Sequence, residues 1–148
     1  MGPAKDYGAH VARNQRDEKI DMAEEQPVRR LQREKRPAPS EWFTGKVEIE
    51  NVFAIKEIPQ GHGRVHFHDG AHTNWHLHTG DQVLYFVAGK GMAQSHGGDV
   101  LPCEPGDIIH VPPGTRHIHG AMPGENATHI AITTGEHVWD NEPNYPRD

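Results

Sequence analysis

The sequence predicts an all-β domain closed into a small barrel or jelly roll, and three observations carry that expectation. From Trp42 onward, short runs rich in β-branched and aromatic residues follow one another at close spacing. Clusters of turn residues punctuate them, among them Thr79-Gly80-Asp81, Pro105-Gly106-Asp107 and Pro112-Pro113-Gly114. Glycine supplies positive φ and proline presets φ, so each cluster marks a reversal. No long amphipathic helix and no solenoid-type repeat appears after Ser40.

In chain order, residues 1–40 read as a charged arm. Val28 and Leu31 are its one close apolar pair, Pro27 interrupts it, and no 3.6-residue stripe is sustained. Such a segment is expected to be poorly ordered or loosely helical, with Pro37-Ala38-Pro39 as a stiff connector. The barrel domain is expected over 41–138, with a tail at 139–148. Strands are predicted at 46–49, 63–68, 74–78, 82–88, 91–96, 108–111, 117–120 and 128–133.

Composition narrows the function. A chain of 148 residues makes one domain. Its net charge of −6 argues against a nucleic-acid partner, since phosphate contacts need basic residues. No apolar run is long enough for a membrane span, and residues 1–21 hold no secretory h-region. The single cysteine, Cys103, excludes an internal disulfide framework and reads as a structural thiol. A cytoplasmic protein is expected, with no membrane partner.

Histidine is the informative residue. Of 13 histidines, 12 lie between His62 and His137. Strand side chains alternate, so His76 and His78 share a face. After the turn at 79–81, Gln82, Leu84 and Phe86 share a face of the next strand, and folding back brings Gln82 beside the histidines. His117 arrives from a later hairpin. His76, His78, Gln82 and His117 are thus the candidate ligands of one divalent ion, filling about four of six positions. All four donors are neutral, so the ion keeps its full charge and favours an oxyanion.

The spacing Gly70-x5-His76-x-His78-x3-Gln82-x6-Gly89, followed by Gly106-x5-Pro112-x-Gly114-x2-His117-x3-Ala121, resembles the two motifs of the cupin family. Those motifs usually carry Glu where this chain has Gln82 and Asn where it has Ala121. From Trp42-Phe43-Thr44-Gly45 to about Thr133 the chain is similar to the manganese-dependent hydroxynitrile-lyase cupins. In that subgroup glutamine is a normal metal ligand. The resemblance implies a small cupin β-barrel (a double-stranded β-helix) and one divalent metal per chain. Manganese or iron is the first expectation, and nickel or zinc also suits the donors.

His129 is the candidate catalytic residue. It shares a predicted strand face with Ala131 and Thr133, and the resembling lyases place a proton-moving histidine at the matching position. His119, on the face of His117, is expected to orient a ligand. His66 and His68 are expected on the surface, opposite Val65 and Phe67, while His62, His96 and His137 are assigned no role. Val65, Leu84, Phe86, Ala131 and Thr133 are candidate pocket walls for a small-molecule substrate, and Trp42 and Phe43 a barrel-end seal or a dimer contact. Val83, Tyr85 and Val87 make an apolar outer face, which predicts a homodimer. Three functions follow: a lyase acting on a small carbonyl or hydroxy compound of cyanohydrin type, a cupin dioxygenase using iron and dioxygen, or a non-catalytic binding cupin.

Overall fold

A computed structural model describes residue 28 and residues 30–55 and 60–148; between 51 and 55 it describes the backbone alone. The expected arm therefore lies mostly outside the described residues. The unit that folds together runs from Gln32 to Asp148.

The described residues of this unit form thirteen strands: β1 Lys35–Pro37, β2 Phe43–Thr44, β3 Val47–Ile55, β4 Gln60–Phe67, β5 His72–Thr73, β6 His76–His78, β7 Gln82–Gly89, β8 Gly91–Ser95, β9 Leu101–Cys103, β10 Ile108–Val111, β11 His117–Ala121, β12 Ala127–Thr134 and β13 His137–Trp139. They form two sheets. The first runs in the order β1-β3-β4-β12-β7-β10; the second runs β13-β6-β11-β5-β2, with β8 paired to β11 and β9 to β8. The architecture is the all-β jelly roll that the turn spacing predicts.

Alternation in sequence becomes inside and outside in the structure. On β7, Gln82, Leu84 and Phe86 are buried while Tyr85 and Val87 are exposed. Across β12, Ala127, His129 and Thr133 point inward. The core lies between the sheets, joining Val65, Phe67, Leu84, Phe86 and Ala127 of the first to Ala93, Cys103 and Ala121 of the second. The Cys103 thiol is 1% exposed and donates to Leu101 O, and burial pushes it up to about 11, as suits a structural thiol. Gly120 lets β11 lie against β5. A Cβ there would stand 2.5 Å from both Ala71 O and His72 Cα, which are backbone atoms that cannot move aside.

The ends of the domain differ from expectation. Lys35–Pro37, inside the segment read as arm and connector, pairs with β3 as Lys35↔Glu50, Arg36↔Ile49 and Pro37↔Glu48. Pro37 sits at the end of an edge strand, where a missing N–H is tolerated. Past residue 138, Trp139 and Tyr145 are both buried, Tyr145 with Leu77 and Val138. The supposed tail therefore seals one end of the barrel.

On the outer face of the first sheet, Glu50 is 2% exposed. Arg33 forks onto it through Nε and Nη2, both at 3.3 Å, and His66 Nε2 approaches at 2.7 Å. These hydrogen bonds, with the charges of Arg33 and Arg64, hold its carboxyl down to about 2. The network ties the segment leading into β1 to β3 and β4.

Candidate metal centre

β6 carries His76 and His78 on one face, and β11 pairs with it at His117↔His76. β7 begins at Gln82, beside Thr133 of β12. Two neighbouring strands and a third some 35 residues further on (Gln82 to His117) thus deliver four side chains to one place. All are nearly sealed from solvent: His76 1%, His78 1%, Gln82 3% and His117 2% exposed. The imidazole centroids of His76 and His117 lie 4.3 Å apart, those of His76 and His78 4.9 Å, and those of His78 and His117 5.1 Å.

The hydrogen bonds fix which atoms face inward. Nδ1–H of His76 donates to Asn74 O at 2.9 Å, and Nδ1–H of His117 to Thr115 O at 2.8 Å. Each ring then turns a bare Nε2 toward the cluster, the usual way a backbone carbonyl orients a ligating histidine. The Gln82 amide donates through Nε2 to Thr133 Oγ1 at 2.9 Å, which leaves Oε1 facing His117 Nε2 at 3.1 Å. Those two atoms are both acceptors, and two lone pairs repel unless a cation lies between them. Cis donors about 2.1 Å from one ion are about 3.0 Å apart, so the spacing fits two ligands on one octahedral edge. His78 Nε2 is buried and lacks any partner, which burial does not tolerate without an ion or a donor. The residues fit a divalent metal.

His119, expected to orient a ligand, lies close to the cluster: among the described residues, His76, His117 and His119 bring ligand nitrogens within 4.8 Å of one another. It arrives there because positions 117 and 119 share a strand face. Its Nδ1 lies 2.8 Å from Nε2 of His129, the candidate base. His119 Nε2 and His129 Nδ1 are both buried without partners. His129 is fully buried, packed against Phe67 at 5.0 Å and edge-on to Phe86 at 5.2 Å.

Burial sets the protonation of the whole group. Loss of solvent holds His76 and His119 well below the ordinary histidine range, His78 near 3 and His129 near 4, while His117 and His137 are lowered for the same reason. Neighbouring rings add to the lowering at His76, His78 and His119. Six neutral imidazoles side by side are a set of lone-pair donors.

A cavity of about 600 Å³ opens on this cluster. Of the expected walls, Val65, Ala131 and Thr133 line it, whereas Leu84 and Phe86 are core filling. Trp42 lies parallel to Trp139 at 5.3 Å, and Trp139 stacks on His76 at 4.3 Å, so an aromatic wall braces the ligand ring. Both tryptophans and Phe43 line the cavity. His62 and His137, assigned no role from sequence, also line it. His137 meets His78 at 4.7 Å. Its signal was the alternation His137-x-Trp139 after Gly135. His66 and His68 do face outward, toward Glu50 and Glu48.

Comparison with known proteins agrees with this geometry. A family model described as "Cupin domain" matches residues 63–133. The (R)-mandelonitrile lyase of Granulicella tundricola is 43% identical over 95 residues, covering 64% of this chain and 72% of that one. An acireductone dioxygenase of Marinobacter nauticus is 39% identical over 67 residues, 43% of this chain and only 36% of the dioxygenase. Among solved structures, a cupin-like protein from Thermotoga maritima superposes with a TM-score of 0.67 at 33% identity, over 78% of this chain and 92% of that one. An acetylacetone dioxygenase from Acinetobacter johnsonii shares the fold with a TM-score of 0.66 at 13% identity, over 80% and 82%. The family match, the relative of 43% identity and the shared jelly-roll fold agree, and the chain belongs to the cupin family.

Proposed function

We propose that this cupin is a lyase that cleaves a small hydroxy compound of cyanohydrin type, with His76, His78, Gln82 and His117 holding one manganese ion. The observation that carries the reading is the buried His119–His129 pair, 2.8 Å apart on the cavity wall, with an unpartnered nitrogen at each end. The bound ion would supply Lewis-acid polarisation of an oxygen donor, at undiminished charge because its four ligands are neutral. The protein moves the proton. His129, neutral through burial, accepts the substrate hydroxyl proton. The carbon–cyanide bond breaks with its electron pair on cyanide, and the oxygen becomes a carbonyl. The pair then returns the proton to cyanide, releasing hydrogen cyanide. The aromatic wall of Trp42 and Trp139 accommodates an aryl or alkyl body.

Manganese-loaded protein is expected to cleave mandelonitrile above a metal-free control, and His129→Ala to lower kcat by about 10²–10⁴-fold at unchanged metal content. Turnover that is equal in loaded and metal-free protein would sink the lyase reading. The dioxygenase reading draws support from the acireductone dioxygenase relatives. Iron-loaded protein that consumes oxygen with a diketone substrate, seen at an oxygen electrode, would favour it. Neither activity would favour a binding cupin.

We also propose that a second copy covers the outer face of the first sheet. Tyr85, opposite both Ile108 and Ile130, is 45% exposed, Val87 43%, Ile108 58% and Ile130 36%. An apolar sheet face of this kind favours a partner over water. Light scattering is expected to give a dimer for the wild type and a monomer for Ile108→Glu. A monomeric wild type at micromolar concentration would refute it.

A further inference from the structure

The cavity has a charged rim that the cyanohydrin reading does not use. β1 borders it through Arg36 and Pro37, and Arg36 lies directly opposite Ile49. Cross-strand partners share a face, and both residues line the cavity. Arg36 therefore extends from the same side of the sheet as a cavity-wall residue. Among the described residues its guanidinium has neither a hydrogen-bond nor an ion-pair partner. Among the described residues it is the one arginine or lysine lining the cavity, and Glu142 is the one acid. Glu142 is already engaged, since its Oε1 accepts from Trp139 N–H at 3.0 Å.

β1 holds that position firmly. Three register pairs join it to β3, Ala38 N–H donates to Val47 O at 2.9 Å, and Arg33 is forked onto the buried Glu50 just before it. Pro37 and Pro39 on either side of Ala38 restrict the backbone further. Arg36 is itself exposed, and a guanidinium recognises a planar carboxylate through two parallel N–H···O bonds. Between this rim and the histidine cluster lie Trp42, Trp139 and Phe43, an apolar span.

We infer that Arg36 is a specificity-determining residue that receives a carboxylate, so that the substrate is a hydroxy or oxo compound whose apolar body carries a carboxylate at the end remote from the reacting oxygen. This deepens the function proposed above and rests on its reading of the cavity as the substrate site. The hydroxyl or carbonyl oxygen faces the histidine cluster, the body lies along the tryptophans, and the acid group is held at the rim. A divalent ion on neutral ligands also favours an anion in this cavity over a cation.

Calorimetric titration tests the inference without turnover. The probes are 4-formylbenzoate and its methyl ester, which put the oxo group and the acid at opposite ends of an aryl body and differ chiefly in charge. Each is titrated into wild type, Arg36→Gln and Arg36→Lys, in manganese-loaded and in metal-free protein. Wild type is expected to prefer the acid. Arg36→Gln should weaken the acid by about tenfold or more and leave the ester within about twofold, with metal content unchanged. Arg36→Lys should recover part of the loss, and added salt should weaken the acid in wild type more than in Arg36→Gln. Equal weakening of acid and ester, no weakening of either, or no binding of the acid by wild type would each overturn the inference. The metal reading fails separately. Wild type that retains no metal would sink that reading, while an Arg36-dependent preference in metal-free protein would leave this one standing.

Discussion

Alanine in place of His117 is expected to reduce bound metal from near one ion per chain to near zero, as measured by elemental analysis after dialysis against a weak chelator. His117 is the hub of the cluster. It pairs with β6 at His76, faces Gln82 Oε1 at 3.1 Å, and lies within 5.1 Å of His78 ring to ring. Losing it removes one ligand and frees the two segments it spans. His76→Ala should act alike, because its ring is fixed by both Asn74 O and Trp139. Gln82→Ala should be milder, about a 10- to 100-fold loss of affinity on the scale of weakened metal-site contacts. Gln82→Glu should tighten binding, since a carboxylate adds charge to a neutral set. His119→Ala decides the role of the trio. Retained metal with lost turnover makes it a partner of His129, whereas lost metal makes it a ligand. The stability effects should split in a telling way. With metal at about 1,000 times its Kd, wild type gains about 4 kcal/mol that His117→Ala cannot. In metal-free protein the same variant should cost less than an ordinary buried histidine, because the acceptor-to-acceptor opposition with Gln82 disappears. Full metal retention by both His117→Ala and His76→Ala would remove the site from this cluster altogether.

How far the sequence reached follows from what each signal physically encodes. Alternation is a local property, so it places β7, β10, β11 and β12 within a residue or two and puts His76 with His78, Gln82 with Leu84 and Phe86, and His129 with Ala131 and Thr133 on shared faces. The short turn between β6 and β7 keeps Gln82 near His76 and His78, although the two strands lie in different sheets. Pairing between remote strands leaves no local trace. β1 and β13 are three residues each, and their stability comes from the strands they border rather than from their own composition. For that reason Arg36 looked like part of a solvated arm and Trp139 like a tail. His119 was visible as His117-x-His119, but its distance to His76 depends on β11 pairing with β6, a tertiary fact. The glycines at 45, 70, 89, 106, 114, 124 and 135 all take positive φ, which is why turn residues bounded the strands so well.

Acid is expected to unfold the metal-free protein well before its carboxylates are exhausted. An unfolded histidine titrates near 6.5, whereas burial holds His129 near 4 and His78 near 3 in the folded chain. Above pH 6.5 both states are neutral at these rings and stability is at its full value. Between 6.5 and about 4 the unfolded chain takes up protons that the folded chain refuses. Stability therefore falls as pH falls, by up to about 1.4 kcal/mol per pH unit for each such ring. His129 alone accounts for on the order of 3 kcal/mol by pH 4. His76, His117, His119 and His137 are lowered in the same direction. Glu50, held near 2 against an unfolded value near 4.5, withdraws its own contribution only later, as pH falls from 4.5 toward 2. Since a folded domain of this size has only about 5–15 kcal/mol in hand, the histidines should bring the transition to between pH 4 and 5. Urea midpoints taken from pH 8 to 4 with chelator present should fall steadily below 6.5. Bound metal needs the same bare nitrogens, so it should move the acid transition to lower pH, with proton release on binding. Midpoints that stay flat between pH 7 and 5 without metal would show that the imidazoles are solvated, and the sealed histidine cage would have to be abandoned.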